Sequence, residues 1–123
     1  MEEESTRPLT TAERALVRWM LENGTAEAPE YLVQLELAEV TSWKCPCGCA
    51  SFNFRIKGQP EAPPGVHILG NYLVGSGDNL SGAFIYSSAG MLSGIEVYGM
   101  AGDAPRVLPA PEELRPYETG GQQ

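Results

Sequence analysis

The sequence predicts an α+β fold in which two N-terminal helices pack on one face of an antiparallel sheet of about four to five strands. Three observations predict it. The first third of the chain carries an amphipathic helical pattern, the remainder is rich in short β-type segments, and the two kinds of segment do not alternate. Helices that precede a block of strands, rather than alternating with it, are typical of an α+β fold with antiparallel pairing.

The chain length fits one domain. At 123 residues and 13.2 kDa, a domain buries about two thirds of its unfolded surface, so it needs neither a disulfide nor a metal ion merely to fold. We assign residues 1–8 to a disordered N-terminus, 9–117 to a single α+β domain and 118–123 to a disordered tail.

The first helix has a clear start and end. Thr10 as N-cap and Glu13 three residues later form a capping box, and Asn23-Gly24 supplies a stop. The apolar residues at helical spacing are Leu16, Val17, Met20 and Leu21. This spacing predicts an amphipathic helix with one buried side.

A second helix is predicted directly after the first. Thr25 is its candidate N-cap, and Pro29 falls within the first turn, where proline is tolerated. Its apolar stripe consists of Tyr31, Leu32 and Leu35.

The middle of the chain predicts a hairpin. A short strand within residues 36–44 leads into a cysteine-rich segment, and a second strand follows it from Ala50. Its apolar residues alternate with polar ones, and they are Ala50, Phe52, Phe54 and Ile56. This period of two indicates a strand with one buried face, which places the cysteines at the hairpin tip.

The C-terminal half predicts three more strands, at about residues 66–74, 81–87 and 92–99. A proline and glycine loop at 58–65 precedes them, and Pro111 to Leu114 predicts one helical turn after them. The last two strands carry apolar side chains on both faces. In the first of them, Phe84 and Tyr86 lie on one side and Ala83 and Ile85 on the other. In the second, Ile95 and Val97 lie opposite Glu96 and Tyr98. Such a sheet predicts one face for the core and one for a partner.

The chain is acidic, with eight Lys and Arg against sixteen Asp and Glu and a formal net charge of −8. This balance argues against nucleic acid, which needs a basic footprint, and favours a basic protein partner. The opening run of glutamates does not resemble a signal peptide, and no segment approaches the roughly 20 apolar residues of a membrane span. We therefore predict a cytoplasmic protein without a membrane partner.

The three cysteines of the chain form one cluster, at Cys45, Cys47 and Cys49. They are candidate zinc ligands, with His67, the single histidine, as the fourth. The cluster has no second cysteine pair, which the common zinc motifs use. Two other interpretations stay open: three reduced thiols with packing roles, or thiol chemistry with Lys44 lowering the pKa of a thiol. A Cys–His nucleophilic pair lacks an orienting third group, so we predict no catalytic residue.

Three segments carry a family resemblance: LTTAERALVRWMLENG, CPCGCASFNF and GMLSGIEVYG. Together they resemble a group of small, mostly uncharacterised bacterial proteins with an N-terminal helical segment, a Cys-x-Cys-Gly-Cys strand and a Leu-Ser-Gly-Ile-Glu-Val-Tyr type strand. The resemblance covers residues 9–114 and implies a bacterial origin and a single domain. It implies no activity, and the glycine-rich run at 70–82 departs from the pattern.

These observations predict a non-enzymatic bacterial protein that binds a protein partner, in the manner of an immunity protein or an antitoxin. Small size, acidity and the uncharged two-faced sheet carry this interpretation. One alternative is a zinc-binding or thiol-dependent module centred on the cysteine cluster, with zinc as the one cofactor that the sequence suggests. The other is a homodimer.

Overall fold

A computed structural model describes residues 6–43, 46, 48–60 and 62–116. Its helices are α1 (Thr11–Glu22) and the short α2 (Leu32–Leu35), which a 3-10 turn at Ala28–Tyr31 precedes. Its strands are β1 (Thr6–Pro8), β2 (Ala38–Thr41), β3 (Phe52–Ile56), β4 (His67–Val74), β5 (Ser81–Ser88), β6 (Met91–Gly99) and β7 (Leu114–Pro116). No helix in these ranges is long and apolar enough to cross a membrane.

The strands form one antiparallel sheet in the order β1-β2-β3-β6-β5-β4-β7. Helices combined with an antiparallel sheet confirm the α+β class. The predicted number of four to five strands is wrong, because the sheet has seven. Both missed strands are edge strands of three residues, and β1 lies within the segment that we assigned to a disordered N-terminus. Three residues are too few to show an alternating pattern, and Pro8 and Pro116 lower the β-propensity of both segments.

Helix α1 begins as predicted. The backbone N–H of Glu13 donates to Thr10 Oγ1 at 3.0 Å, and the N–H of Thr10 donates to Glu13 Oε1 at 2.9 Å. Arg7 on β1 adds two hydrogen bonds to the Glu13 carboxylate, at 2.8 and 2.9 Å. These bonds, that from Arg7 above all, hold the pKa of Glu13 below its usual value. The capping box therefore also connects the edge strand to the helix.

The start of the second helix differs from the prediction. Thr25 is not its N-cap: the backbone N–H of Thr25 donates to the Leu69 carbonyl of β4 at 2.8 Å, and helical structure begins only at Ala28. This backbone bond joins the turn after α1 to the sheet, and a four-residue α-helix follows the 3-10 segment. Leu35, from the predicted apolar stripe, is fully buried.

Helix α1 packs on one face of the sheet, the inner face, which carries the core. The buried strand residues of the inner face are Ala38, Val40, Phe52, Phe54, Ile56, Tyr72, Ala83, Ile85, Ile95 and Val97. The ring of Trp19 meets that of Tyr72 edge-on at 5.3 Å, and the Tyr72 hydroxyl donates to the Met20 carbonyl at 2.7 Å. Burial raises the pKa of Tyr72 to about 12. Trp19 thus packs, half-buried, against the core.

One side chain connects α2 to the turn between β5 and β6. Gln34 Nε2 donates to the Gly90 carbonyl at 2.9 Å, and the Leu92 N–H donates to Gln34 Oε1 at 2.7 Å. The amide therefore bonds the hairpin backbone as a neighbouring strand would, although no strand lies there in the described ranges.

Candidate functional site

Strands β3, β4, β5 and β6 present a second face away from α1. We call it the outer face and define it by Asn53, Asn71, Phe84, Tyr86, Glu96 and Tyr98. The register brings them together, because Phe84 stands opposite Asn71 on one side and Glu96 on the other. In the part of the chain that the structure describes, both helices contribute their buried residues to the core on the inner face. The outer face consequently stays open to solvent.

A tyrosine, a glycine and an asparagine combine twice on the outer face. The ring of Tyr86 crosses Gly94, and its hydroxyl donates to Asn53 Oδ1 at 3.1 Å. The ring of Tyr98 crosses Gly82, and its hydroxyl donates to Asn71 Oδ1 at 3.2 Å. Tyr86 on β5 reaches across β6 to β3, whereas Tyr98 on β6 reaches across β5 to β4. The two tyrosines therefore extend toward opposite edges of the sheet.

The two glycines are required by these close approaches. A Cβ at position 94 would lie 2.8 Å from the Tyr86 hydroxyl oxygen and 2.8 Å from the Phe52 carbonyl oxygen. A Cβ at position 82 would overlap the ring of Tyr98. A glycine inside a strand often marks such an approach, and the covering ring supplies the packing that the glycine lacks.

Phe84 lies between the two tyrosines. Its ring centroid is 5.7 Å from that of Tyr86 and 6.0 Å from that of Tyr98, both in tilted contact. All three rings are half-buried. Since neighbouring rings and hydrogen bonds hold each of them, they form a surface with fixed side-chain positions.

Glu96 is the charged residue at the centre of the outer face. Its side chain is exposed, and among the residues that the structure describes it forms no ion pair. Burial raises the pKa of Tyr86, and the negative charge of Glu96 raises it further. The carboxylate therefore acts electrostatically on the Tyr86 hydroxyl.

A pocket of about 300 Å³ adjoins the outer face. We call it the proline pocket; its lining includes Trp43, Asn53, Pro63, Pro64, Tyr86 and Ser93. The Ser88 hydroxyl donates to the Pro63 carbonyl at 2.6 Å and holds the proline segment against the sheet. Trp43 is 42% exposed at the rim. Because Asn53 and Tyr86 belong to both, the pocket and the outer face form one continuous surface.

Of the predicted cysteine ligands, Cys49 lies on the connection between β2 and β3, and Cys45 and Cys47 lie outside the described residues. The Cys49 thiol donates to Ser51 Oγ at 3.3 Å, and Ser51 Oγ accepts the Val97 N–H of β6 at 2.9 Å. These contacts connect the end of the cysteine segment to the sheet.

His67, the predicted fourth ligand, is the first residue of β4 and contacts Glu27. It pairs with Ser87 of β5, so β5 and β6 separate it from β3. Three strand spacings amount to about 14 Å. The structure therefore does not bring His67 to Cys49, and the described residues contain no group of three His, Cys, Asp or Glu that could hold a metal ion. A zinc site at the cysteines stays a prediction, which elemental analysis of protein purified without chelator tests.

The sequence contained an unused signal for the outer face. The pattern Gly-x-x-x-Tyr occurs in β5 as Gly82 and Tyr86 and again in β6 as Gly94 and Tyr98. When two such strands pair antiparallel about Phe84 and Glu96, each tyrosine covers the glycine of the other strand. The parity of the four residues Phe84, Tyr86, Glu96 and Tyr98 was predicted, but Asn53 and Asn71 were not assigned to the site.

A scan against protein-family models, a search of curated proteins and a search of solved structures each found no match. The resemblance to a group of small bacterial proteins therefore stays a prediction.

Proposed function

We propose that this protein is a non-enzymatic binding protein whose outer face takes a basic protein partner, in the manner of an immunity protein or an antitoxin. The observation that carries the proposal is the pair of Tyr–Gly–Asn combinations around Phe84. They fix three aromatic rings on a face that neither helix covers.

The core does not account for these rings. The inner face buries Ile85 and Ile95 completely, so β5 and β6 are anchored without a contribution from the outer face. A glycine in the middle of a strand costs about 0.5–1 kcal/mol relative to alanine, and this hairpin carries two. An arrangement that uses two such glycines to position half-buried tyrosines on a face without a helix is suited to recognition, since rigid aromatic side chains dominate protein interfaces.

Charge indicates the kind of partner. The chain carries a formal net charge of −8, and the outer face has Glu96 at its centre. A basic partner is attracted over long range by the whole chain and at close range by this carboxylate. The proline pocket extends the surface and offers a recess for a second side chain of the partner.

The test starts with capture from extracts of the native cell, with the wild-type chain as bait. Each captured protein is then identified by mass spectrometry, purified, and titrated against variants by calorimetry. The outer-face variant is Phe84→Gln. The matched control is Val33→Gln, which changes an apolar side chain that is 73% exposed on α2.

We expect the wild type and Val33→Gln to bind the purified partner equally, and Phe84→Gln to bind it at least about tenfold more weakly. A partner that binds Phe84→Gln as tightly as the wild type contradicts the proposal. So does a chain that captures only itself and self-associates in sedimentation, which favours the homodimer.

A further inference from the structure

We propose that the partner contributes an arginine to the outer face, with its guanidinium stacked on the ring of Phe84 and paired with the carboxylate of Glu96. This inference rests on the proposed function, because it names the side chain that the outer face would receive.

The register places the two required groups side by side. Phe84 and Glu96 are direct cross-strand partners in the β5–β6 pair, so their Cβ atoms are about 4.5–5.5 Å apart on the same face. Tyr86 and Tyr98 lie on either side of Phe84, with ring centroids 5.7 and 6.0 Å away. One carboxylate within a group of three aromatic rings matches the two surfaces of a guanidinium, its charged edge and its flat face.

Among the described residues, no cation of the chain itself pairs with the carboxylate of Glu96. The other charged strand residues that the register places on the same side of the sheet are Glu39, Arg55 and Arg115. Arg55 Nε donates to the Gln59 carbonyl at 3.1 Å, and an Arg115 amino group donates to the Gly75 carbonyl at 2.7 Å. Neither forms an ion pair with Glu96. The faces of aromatic rings are themselves negative, so the carboxylate and the rings attract the same kind of ligand.

The combination of aromatic rings and one carboxylate favours arginine over lysine. A guanidinium is planar, stacks on aromatic rings and can donate two parallel hydrogen bonds to one carboxylate. An ammonium is a strongly hydrated point charge that loses more hydration on the same surface. The two tyrosine rings are held in place before binding, because each hydroxyl donates to an asparagine two strands away, across the strand between them. Little ordering cost therefore remains to be met on binding.

The test uses three small probes and the full chain labelled with ¹⁵N. The probes are the blocked amino acids N-acetyl-arginine amide, N-acetyl-lysine amide and N-acetyl-citrulline amide, titrated at constant ionic strength. Citrulline has the shape of arginine without its charge. The readout is the set of backbone amide shifts, with Gly82 and Gly94 reporting on the outer face. The variants are Glu96→Gln, Phe84→Leu and, as matched control, Glu112→Gln, which removes an exposed carboxylate from the turn at Pro111–Glu113.

We expect the arginine probe to give saturable shifts confined to the outer face, with a Kd of about 10–100 mM, as a single exposed, stacked ion pair supports. The lysine probe should bind about twofold more weakly and the citrulline probe should give no saturable shift. Glu96→Gln and Phe84→Leu should each weaken arginine binding about threefold, and Glu112→Gln should leave it unchanged.

Equal shifts with arginine and citrulline overturn the inference, as does arginine binding that Glu96→Gln leaves unchanged. The purified partner separates this failure from that of the proposed function. If Phe84→Gln weakens binding of the partner and Glu96→Gln does not, the arginine is contradicted and the outer face remains the binding surface. If neither variant changes the affinity of the partner, the outer face as its binding surface is contradicted as well.

Discussion

The two faces of the β5–β6 hairpin are formed by alternate residues of the same strands, and they differ in how their side chains pack. On the inner face, Ile85 and Ile95 stand opposite each other and are buried in the core. On the outer face, Phe84 and Glu96 stand opposite each other, and a tyrosine and a glycine repeat on either side of them. The inner face packs against the helices. On the outer face the side chains contact one another, and neither helix covers them. This contrast indicates that the inner face determines the fold and the outer face is available for binding.

Truncating two adjacent residues, Ile85 and Phe84, should give the largest difference in free energy of unfolding between the faces. Ile85→Ala removes a side chain that is 0% exposed and should lower the free energy of unfolding by about 3 kcal/mol, through lost apolar burial and a cavity under α1. Phe84→Ala removes a larger, half-buried side chain from the outer face and should cost only about 1 kcal/mol. Denaturant unfolding followed by circular dichroism measures both. Equal costs would show that the outer face is part of the core.

The two outer-face glycines sharpen the comparison, because their surroundings differ. Gly94→Ala places a Cβ 2.8 Å from the Phe52 carbonyl oxygen, which belongs to the β3 backbone and cannot move aside, so we expect a loss of about 2 kcal/mol. Gly82→Ala meets only the ring of Tyr98, which can rotate away, so we expect less than about 1 kcal/mol. The same unfolding experiment measures both losses. Near-ultraviolet circular dichroism should nonetheless change for Gly82→Ala as Tyr98 leaves its position; an unchanged spectrum would argue against the ring contact.

The Gln34 contact tests how the inner layer holds the hairpin. Gln34→Ala removes both hydrogen bonds to the hairpin backbone and should destabilise the fold by about 1 kcal/mol. Gln59→Ala, in an exposed position beyond β3, serves as the matched control and should stay within about 0.5 kcal/mol of the wild type. Hydrogen exchange at the Leu92 amide should accelerate in Gln34→Ala alone. An amide that exchanges at the same rate in both variants would contradict the contact.

The smallest expected effect lies at the capping box and depends on pH. The pKa of Glu13 is lower in the folded chain than in the unfolded one, so its stabilising contribution is complete above its ordinary pKa of about 4.3. The contribution is lost as pH falls through the lowered pKa. Glu13→Gln should therefore flatten the fall in the free energy of unfolding below about pH 4.5, measured against Glu22→Gln on the exposed side of α1. Parallel pH profiles for the wild type and Glu13→Gln would contradict the role of Arg7.

Local signals predicted much of the fold. The capping box at Thr10 and Glu13 located α1, and alternation located the three C-terminal strands to within one residue of β4, β5 and β6. Long-range contacts explain the differences. The backbone of Thr25 bonds Leu69 of β4, which local sequence does not show, and the pairing that creates β1 depends on β2, which is distant in sequence.

The candidate site follows the same division. The alternation of residues predicted that Phe84 and Tyr86 lie on the opposite side of the strand from Ala83 and Ile85, and hence a second apolar face. The partnership of Tyr86 with Asn53 was not, because it requires β3 to lie beside β6. In a sequence without known strand order, an asparagine two strands away carries no sign of the ring that reaches it.

The measurement that tests the separation of folding from binding most directly uses one double variant, Phe84→Gln with Glu96→Arg. Its free energy of unfolding and its affinity for the purified partner are determined under identical conditions. If the outer face is a binding surface, the free energy of unfolding should fall by no more than about 2 kcal/mol, while the affinity for the partner should fall at least about a hundredfold. A double variant that loses most of its stability, or that keeps the affinity of the wild type, would contradict it.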